Sequence, residues 1–229
     1  MYSENQNKAA DASLRIRHLC AMALLCALAY ICEFVFRIKV SFLTFDAKDA
    51  IIAIGSLAFG PVSGVGMSLV VALLELVTVS ETGFYGFIMN FLSSAVFSVI
   101  PALLYRRDKS LVTALLGLAL GSFGMTAVMM AANLLITPFY MGVSVDAVAK
   151  LLPTLLLPFN LTKAVFNAGL TLLLYKPLMS AMTLSHILPK NDKTTPDPRT
   201  MIYVTVVSVA AIALSLLIFF LVLNGTIVR

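Results

Sequence analysis

Two stretches of this chain, residues 50–74 and 201–223, contain no Asp, Glu, Lys or Arg. A helix needs about 20 residues to cross the roughly 30 Å hydrocarbon layer of a bilayer, and runs of this kind are long enough. With 229 residues, 60% of them hydrophobic and 12% charged, a soluble fold has too little polar surface to cover its apolar side chains. The sequence therefore predicts an all-α membrane protein. A net charge of +5 raises nucleic acid as a partner. The basic residues, however, sit in short links between apolar segments and form no soluble face. Membrane lipid is the expected partner and nucleic acid is not.

Apolar runs place helices at about 16–36, 84–104, 111–136, 151–175 and 201–224. Residues 50–79 are either one long span or two helices divided at the breaker pair Gly60-Pro61. Charge decides between them. If the segment is a hairpin of helices at about 49–60 and 61–79, the amino terminus and the links 105–110 and 176–200 share one side of the membrane. That side then carries Lys8, Arg15, Arg17, Arg106, Arg107, Lys109, Lys176, Lys190, Lys193 and Arg199, ten of the sixteen basic residues. A single span would put Arg106, Arg107 and Lys109 opposite the basic amino terminus, against the positive-inside bias. The expectation is seven helices in a cell membrane, with the amino terminus cytoplasmic and the carboxyl terminus external. Residues 1–15 are read as a cytoplasmic tail, disordered or surface-bound. Residues 181–200, with Pro189, Pro196 and Pro198, form a polar linker, and the helix at 201–224 stands apart from the rest. The helix at 49–60 would be only about 18 Å long, too short to cross, so it packs against others or borders a cavity.

Arg15 and Arg17 before an apolar stretch containing Ala27-Leu28-Ala29 imitate a secretory signal. The apolar sequence runs on to Phe36, which argues for a retained span. Cys20, Cys26 and Cys32 match no metal motif and do not stack on one helix face, so they read as apolar filler. Neither HExxH nor GxSxG occurs, and none of the twelve glycines precedes a lysine, which removes the phosphate-cradling loop. No metal, cofactor or enzymatic activity is expected. Any step driven by ATP would then need another polypeptide to hydrolyse it.

Lys163 falls midway through an apolar span, where an ammonium ion costs about 2.5–3.5 kcal/mol on insertion scales. Asn160 lies one turn earlier on the same face, and Pro158 loosens the backbone before it. The two side chains point into a ligand cavity, or Lys163 belongs to a structural ion pair, for instance with Glu75. Glu75 contacts ligand, pairs with Lys163, or snorkels to the outer interface. Asn133, near the outer end of its span, caps the helix or binds ligand. Ala23 with Ala27, and Gly117 with Gly121, are small-xxx-small pairs that permit close helix approach, within the chain or to a partner.

Four stretches carry a resemblance: Phe42 to Asp46 with Asp49; Phe59-Gly60-Pro61-Val62 with Gly64; Asn133 to Pro138 with Tyr140; and Pro158-Phe159-Asn160-Leu161-Thr162-Lys163 followed by Leu172 to Lys176. Over residues 16–180 the chain resembles the substrate-binding (S) subunits of energy-coupling-factor (ECF) vitamin transporters, in particular those that bind riboflavin. The Pro-Phe-Asn-x-x-Lys stretch is its most specific part. The resemblance implies a six-helix S-component bundle, here with an additional C-terminal transmembrane helix, and a vitamin pocket under the first external loop. It maps the flavin contacts to Leu43, Thr44, Asn133, Asn160 and Lys163, with Phe45, Asp46 and Asn90 as further candidates. It implies that Ala23 and Ala27 dock on a transmembrane coupling subunit, and that two cytoplasmic ATPase subunits complete the transporter. The family's usual Glu-x-x-Lys-Asn run in the third helix is not matched in Ser68 to Glu75, nor is its acidic residue before Asn90. The alternatives are an S subunit for a different vitamin or small molecule, and a solitary secondary transporter, which would more typically show internal repeats.

The charge count generates a direct test. Single cysteines placed in a background lacking Cys20, Cys26 and Cys32 are expected to react with an impermeant thiol reagent in whole cells at 37–49, and not at 105–110 or 176–200. Labelling of the 105–110 link from outside would refute the hairpin topology.

Overall fold

The computed structural model describes residues 2–188 and 198–223, with side chains described for 12–188 and 199–221. Helix α1 (Tyr2–Val35) begins at the second residue. Residues 2–15, read from the sequence as a disordered or surface-bound tail, therefore continue the first helix. Neither Gly nor Pro occurs before Gly55, so nothing local breaks it. Strands β1 (Ile38–Val40) and β2 (Leu43–Phe45) follow as an antiparallel pair, with Ile38 opposite Phe45 and Val40 opposite Leu43. Ser41 turns the hairpin at φ 55°, the left-handed conformation that a two-residue connection demands.

Helix α2 (Lys48–Phe59) is the short helix, and Lys48 to Leu57 are all buried. It is enclosed by α1, α3, α4 and α7. Gly60, at φ 99°, ends it, and Pro61 starts α3 (Pro61–Thr78) at a position where its missing N–H removes no helix bond. Helix α4 (Gly83–Tyr105) and α5 (Leu111–Met141) come next. The Ser110 side chain accepts a hydrogen bond from the Thr113 N–H to start α5, and Gly142 at φ 65° ends it. This helix runs past the expected boundary at 136, through Pro138. Helix α6 (Val145–Leu151), a π-helical turn (Leu152–Leu156) and α7 (Leu157–Leu184) form one continuous rod, and α8 (Pro198–Leu223) follows. Among the described residues, six helical segments are long and apolar enough to cross a membrane: Ala12–Val35, Pro61–Thr78, Gly83–Tyr105, Leu111–Met141, Val145–Leu184 and Arg199–Leu221. The molecule is an all-α membrane bundle with a short helix buried at its centre.

Packing decides two open points. Gly117 and Gly121 serve approach within the chain: a Cβ on Gly117 would lie 2.7 Å from Pro101 Cα, and one on Gly121 3.0 Å from the Phe97 carbonyl oxygen, both on α4. Helix α8 does not stand apart. A Cβ on Gly169 of α7 would meet Ile212 Cγ1 at 2.8 Å and the Ser208 carbonyl oxygen at 3.0 Å, so the two helices touch backbone to backbone. Of the proposed linker 181–200, residues 181–184 belong to α7 and 198–200 to α8, while 189–197, like 224–229, lie outside the described residues.

The α4–α5 contact predicts opposite outcomes for two glycines. Gly117→Ala drives a methyl into the Pro101 backbone and is expected to cost about 1–3 kcal/mol, the usual range for overpacking. Gly66→Ala on α3 meets nothing within 4 Å and is expected to be neutral or to stabilise by about 0.5–1 kcal/mol. Thermal unfolding of the purified variants in one detergent checks both.

Candidate ligand-binding site

Beneath the hairpin lies a cavity of about 220 Å³. Leu43 and Thr44 enter it from β2, Asn90 from α4, Asn133 from α5, and Asn160 and Lys163 from α7. These are six of the eight ligand-contact candidates named from the sequence. Phe45 and Asp46 are also buried, but they do not line the cavity. Phe45 packs instead on Phe159, Phe166 and Phe219, and Asp46 faces Lys163.

Each amide is held by its own helix. Asn133 Nδ2 donates to the Met129 carbonyl at 2.8 Å, and its Oδ1 accepts from the Thr137 hydroxyl at 2.9 Å. Asn160 Nδ2 donates to the Leu156 carbonyl at 2.8 Å. Such bonds fix the orientation of an amide and leave further donor and acceptor capacity for a ligand. Asn133 is not a cap, because α5 continues about two turns beyond it.

Lys163 is 5% exposed. Its ammonium donates to Asp46 Oδ2 at 2.7 Å and to the Thr44 carbonyl at 3.2 Å, and lies 3.9 Å from Asp49 Oδ2. The intramembrane cation is thus both paired and in the cavity wall. Its partner is Asp46 and not Glu75. Glu75 does not snorkel either, being 2% exposed. Its Oε1 lies 2.8 Å from Lys48 Nζ, close but not aligned as a hydrogen bond, and its Oε2 accepts from Asn90 Nδ2 at 2.7 Å. Lys48 Nζ also approaches Asp46 Oδ2 at 3.5 Å and Glu33 Oε2 at 3.8 Å. Asp49 is held by the Ser94 hydroxyl. Four carboxylates, Glu33, Asp46, Asp49 and Glu75, therefore surround two ammonium groups, Lys48 and Lys163, at the start of α2. Asn167 completes this junction: its Nδ2 donates to the Asp46 carbonyl at 2.9 Å, and its Oδ1 caps the Ala50 N–H at 2.9 Å.

Glu75, for which ligand contact was one of three sequence readings, lines the cavity. Other members were not singled out: Glu33 lies in the lining too, and Phe42, Tyr140 and Phe159 supply aromatic surface, with Phe42 and Tyr140 centroids 5.9 Å apart. At the rim, Arg37 Nη2 donates to the Val79 carbonyl at 2.9 Å, and Lys39 pairs with Glu81. The hydrogen bond from Lys39, and then its charge, hold the Glu81 carboxyl below its usual range. Glu33 had a visible signal, an acid inside the first apolar run. The others had none beyond being polar or aromatic near a loop. Together the walls offer flat apolar faces beside fixed amides and one ammonium, the arrangement suited to a planar ring system with a polar edge.

On the face of α1 turned away from the bundle, Ala23 and Ala27 are both exposed. That leaves the small-residue pair open to a partner.

Comparison with known proteins agrees with this architecture. The family model "ECF transporter, substrate-specific component" matches residues 17–175. A solved structure of the S component of a bacterial ECF transporter is similar at 26% identity and a TM-score of 0.63, with 73% of this chain and 98% of that chain covered. A search of curated proteins gave no match. The chain belongs to the family of substrate-specific components of ECF transporters.

Proposed function

We propose that the protein captures riboflavin with high affinity on the external side of the cell membrane, and delivers it through an ATP-driven ECF complex. One observation carries this reading. Leu43, Thr44, Asn133, Asn160 and Lys163, the positions that the resemblance assigns to a flavin, converge on one aromatic-walled cavity together with Asn90. The isoalloxazine ring lies against Phe42, Tyr140 and Phe159, and its carbonyls and ring nitrogens take hydrogen bonds from the amides and from Lys163. Lys163 has three N–H donors, two of them committed to Asp46 and Thr44, which leaves one for the ligand. Riboflavin carries no negative charge, so Lys163 acts as a donor. The pocket end of the bundle is external, the amino terminus cytoplasmic and the carboxyl terminus external. No cofactor or metal takes part.

A transmembrane coupling subunit docks on the exposed Ala23 and Ala27 of α1, and two cytoplasmic ATPase subunits drive the cycle. The cavity of about 220 Å³ compares with roughly 300–1,000 Å³ for typical small-molecule sites. A three-ring ligand therefore requires the cavity to widen as it enters. A second reading, an S subunit for a vitamin that carries positive charge, is favoured by the carboxylates of Glu33 and Glu75 in the lining. Flavin absorbance in a preparation purified without ligand removal distinguishes the two, as does titration of riboflavin fluorescence.

Because Lys163 is both pocket wall and ion-pair partner, its test takes two variants. Hydrogen bonds to charged groups contribute about 1.5–3 kcal/mol, so Lys163→Met is expected to weaken riboflavin binding by roughly 10-fold to 150-fold, at about 1.4 kcal/mol per decade. The same change takes the nearest cation from the buried Asp46 carboxylate, leaving Lys48 at 3.5 Å, and is expected to lower stability by up to about 3–5 kcal/mol. Adding Asp46→Asn should restore most of the melting temperature but not the affinity. Recovery of affinity in the double variant would make Lys163 purely structural.

Replacing both Ala23 and Ala27 with Leu should leave riboflavin binding to the isolated protein within about twofold, since neither residue lines the cavity, while blocking close helix approach. Uptake and copurification with the coupling subunit are expected to fall together. Equal loss of binding would place the two alanines in the bundle's own packing.

A further inference from the structure

Helix α8 lies beyond the residues that the family model matches, and the capture reading gives it no task. Its side chains nonetheless reach the site. Phe219 is fully buried, whereas the adjacent Phe220 is 54% exposed. The Phe219 ring lies 4.6 Å from that of Phe45 in β2, and Phe45 lies 5.0 Å from Phe166 and 6.3 Å from Phe159 on α7. Val40, Ala47 and Leu155 close the same apolar cluster. The residues on either side of Phe45 are the two that engage Lys163: the Thr44 carbonyl and the Asp46 carboxylate both accept its hydrogen bonds. The close contact at Gly169 fixes the depth of α8 against α7. The ring of Phe219 is thus held against Phe45 of β2, in a cluster that shares Phe159 with the cavity wall.

Three-residue strands are too short to be stable alone, and a hairpin of this size needs packing on one face. Arg37 and Lys39 tie its outer edge to Val79 and Glu81, Lys163 holds the Thr44 carbonyl and Asp46, and the aromatic cluster supplies the apolar packing under Phe45. We propose that α8 is a brace for the hairpin over the cavity, and that Phe219 is the positioning residue which holds Leu43 and Thr44 in ligand-binding register. Its consequence for ligand rests on the capture reading. The brace itself does not.

The test uses the full chain in detergent with three variants: Phe219→Ala, Phe219→Leu and the outward control Phe220→Ala. Amide hydrogen exchange over residues 38–46 is followed without ligand, and riboflavin dissociation is followed by fluorescence. In Phe219→Ala the hairpin amides are expected to exchange at least about 10-fold faster, because local opening is limited by the apolar contacts that hold a segment. Riboflavin should leave faster by a similar factor, while the amides of α3 to α5 keep their protection. Phe219→Leu, which refills much of the space, should fall between Phe219→Ala and the parent, and Phe220→Ala should match the parent. If Phe219→Ala does not fold, Phe219→Leu against Phe220→Ala carries the same comparison. Unchanged hairpin exchange in a folded Phe219 variant, or an equal change in Phe220→Ala, overturns the brace. Faster hairpin exchange in a set of proteins none of which binds riboflavin, the parent included, supports the brace and overturns the flavin reading.

Discussion

The pair between Asp46 and Lys163, 2.7 Å apart and almost fully withdrawn from solvent, is the contact from which the rest of the structure is organised. It joins the end of the hairpin to the second turn of α7. From there the polar junction spreads through the first turn of α2: Lys48 to Glu75 on α3 and Glu33 on α1, Asp49 to Ser94 on α4, and the Ala50 N–H to Asn167 on α7. Charges buried in this way cost free energy unless each is matched, and removing one partner leaves its counterpart stranded. The junction therefore specifies one mutual arrangement of α1, α3, α4 and α7 around α2. It also bears on how a 12-residue helix can begin inside a bilayer-spanning bundle, since the Ala50 N–H is met by Asn167 of α7 and the Lys48 N–H by Asp46.

Much of the fold was legible because spans declare themselves by length and by the absence of charge. Gly60-Pro61 could be read as a break because two independent signals, local breaker chemistry and the placement of Arg106, Arg107 and Lys109, pointed the same way. What stayed hidden depends on packing. Strands of three residues are too short for alternation to register, so 37–49 read as loop. The depth of Phe219 could not be distinguished from that of Phe220 in an unbroken apolar run, although one is fully enclosed and the other largely exposed. The length of α1 was underestimated because polar residues near a terminus suggest a tail, while their helix propensity is adequate.

At the site, Lys163 with Asn160 was legible because a cation in mid-span demands an explanation and an amide one turn away supplies company. The partner was misjudged for a definite reason. Lys48, in the 37–49 segment expected to face outside, is buried at the head of α2, where it takes Glu75 and leaves Lys163 to Asp46. Counting charge by loop treats every loop residue as solvated, and this loop is folded into the bundle. Phe45 and Asp46 directly follow the lining residues Leu43 and Thr44, so adjacency in sequence suggested the cavity, while the aromatic cluster and the polar junction took them to other neighbours.

The π-helical turn at Leu152–Leu156 has a consequence for how the site can vary. A π turn accommodates one residue more than the α-helix that flanks it, and such insertions recur at functional positions. Everything downstream in α7 is thereby rotated by about 100° relative to the α6 end of the rod, one residue's share of a 3.6-residue turn. Asn160, Lys163 and Asn167 therefore owe their common heading to an added residue as much as to their own identities. Loss of any one residue from that turn would swing all three away from the hairpin while leaving the span equally apolar. In relatives of this chain, a change in the length of the 145–156 segment is thus a change of azimuth for the whole polar face.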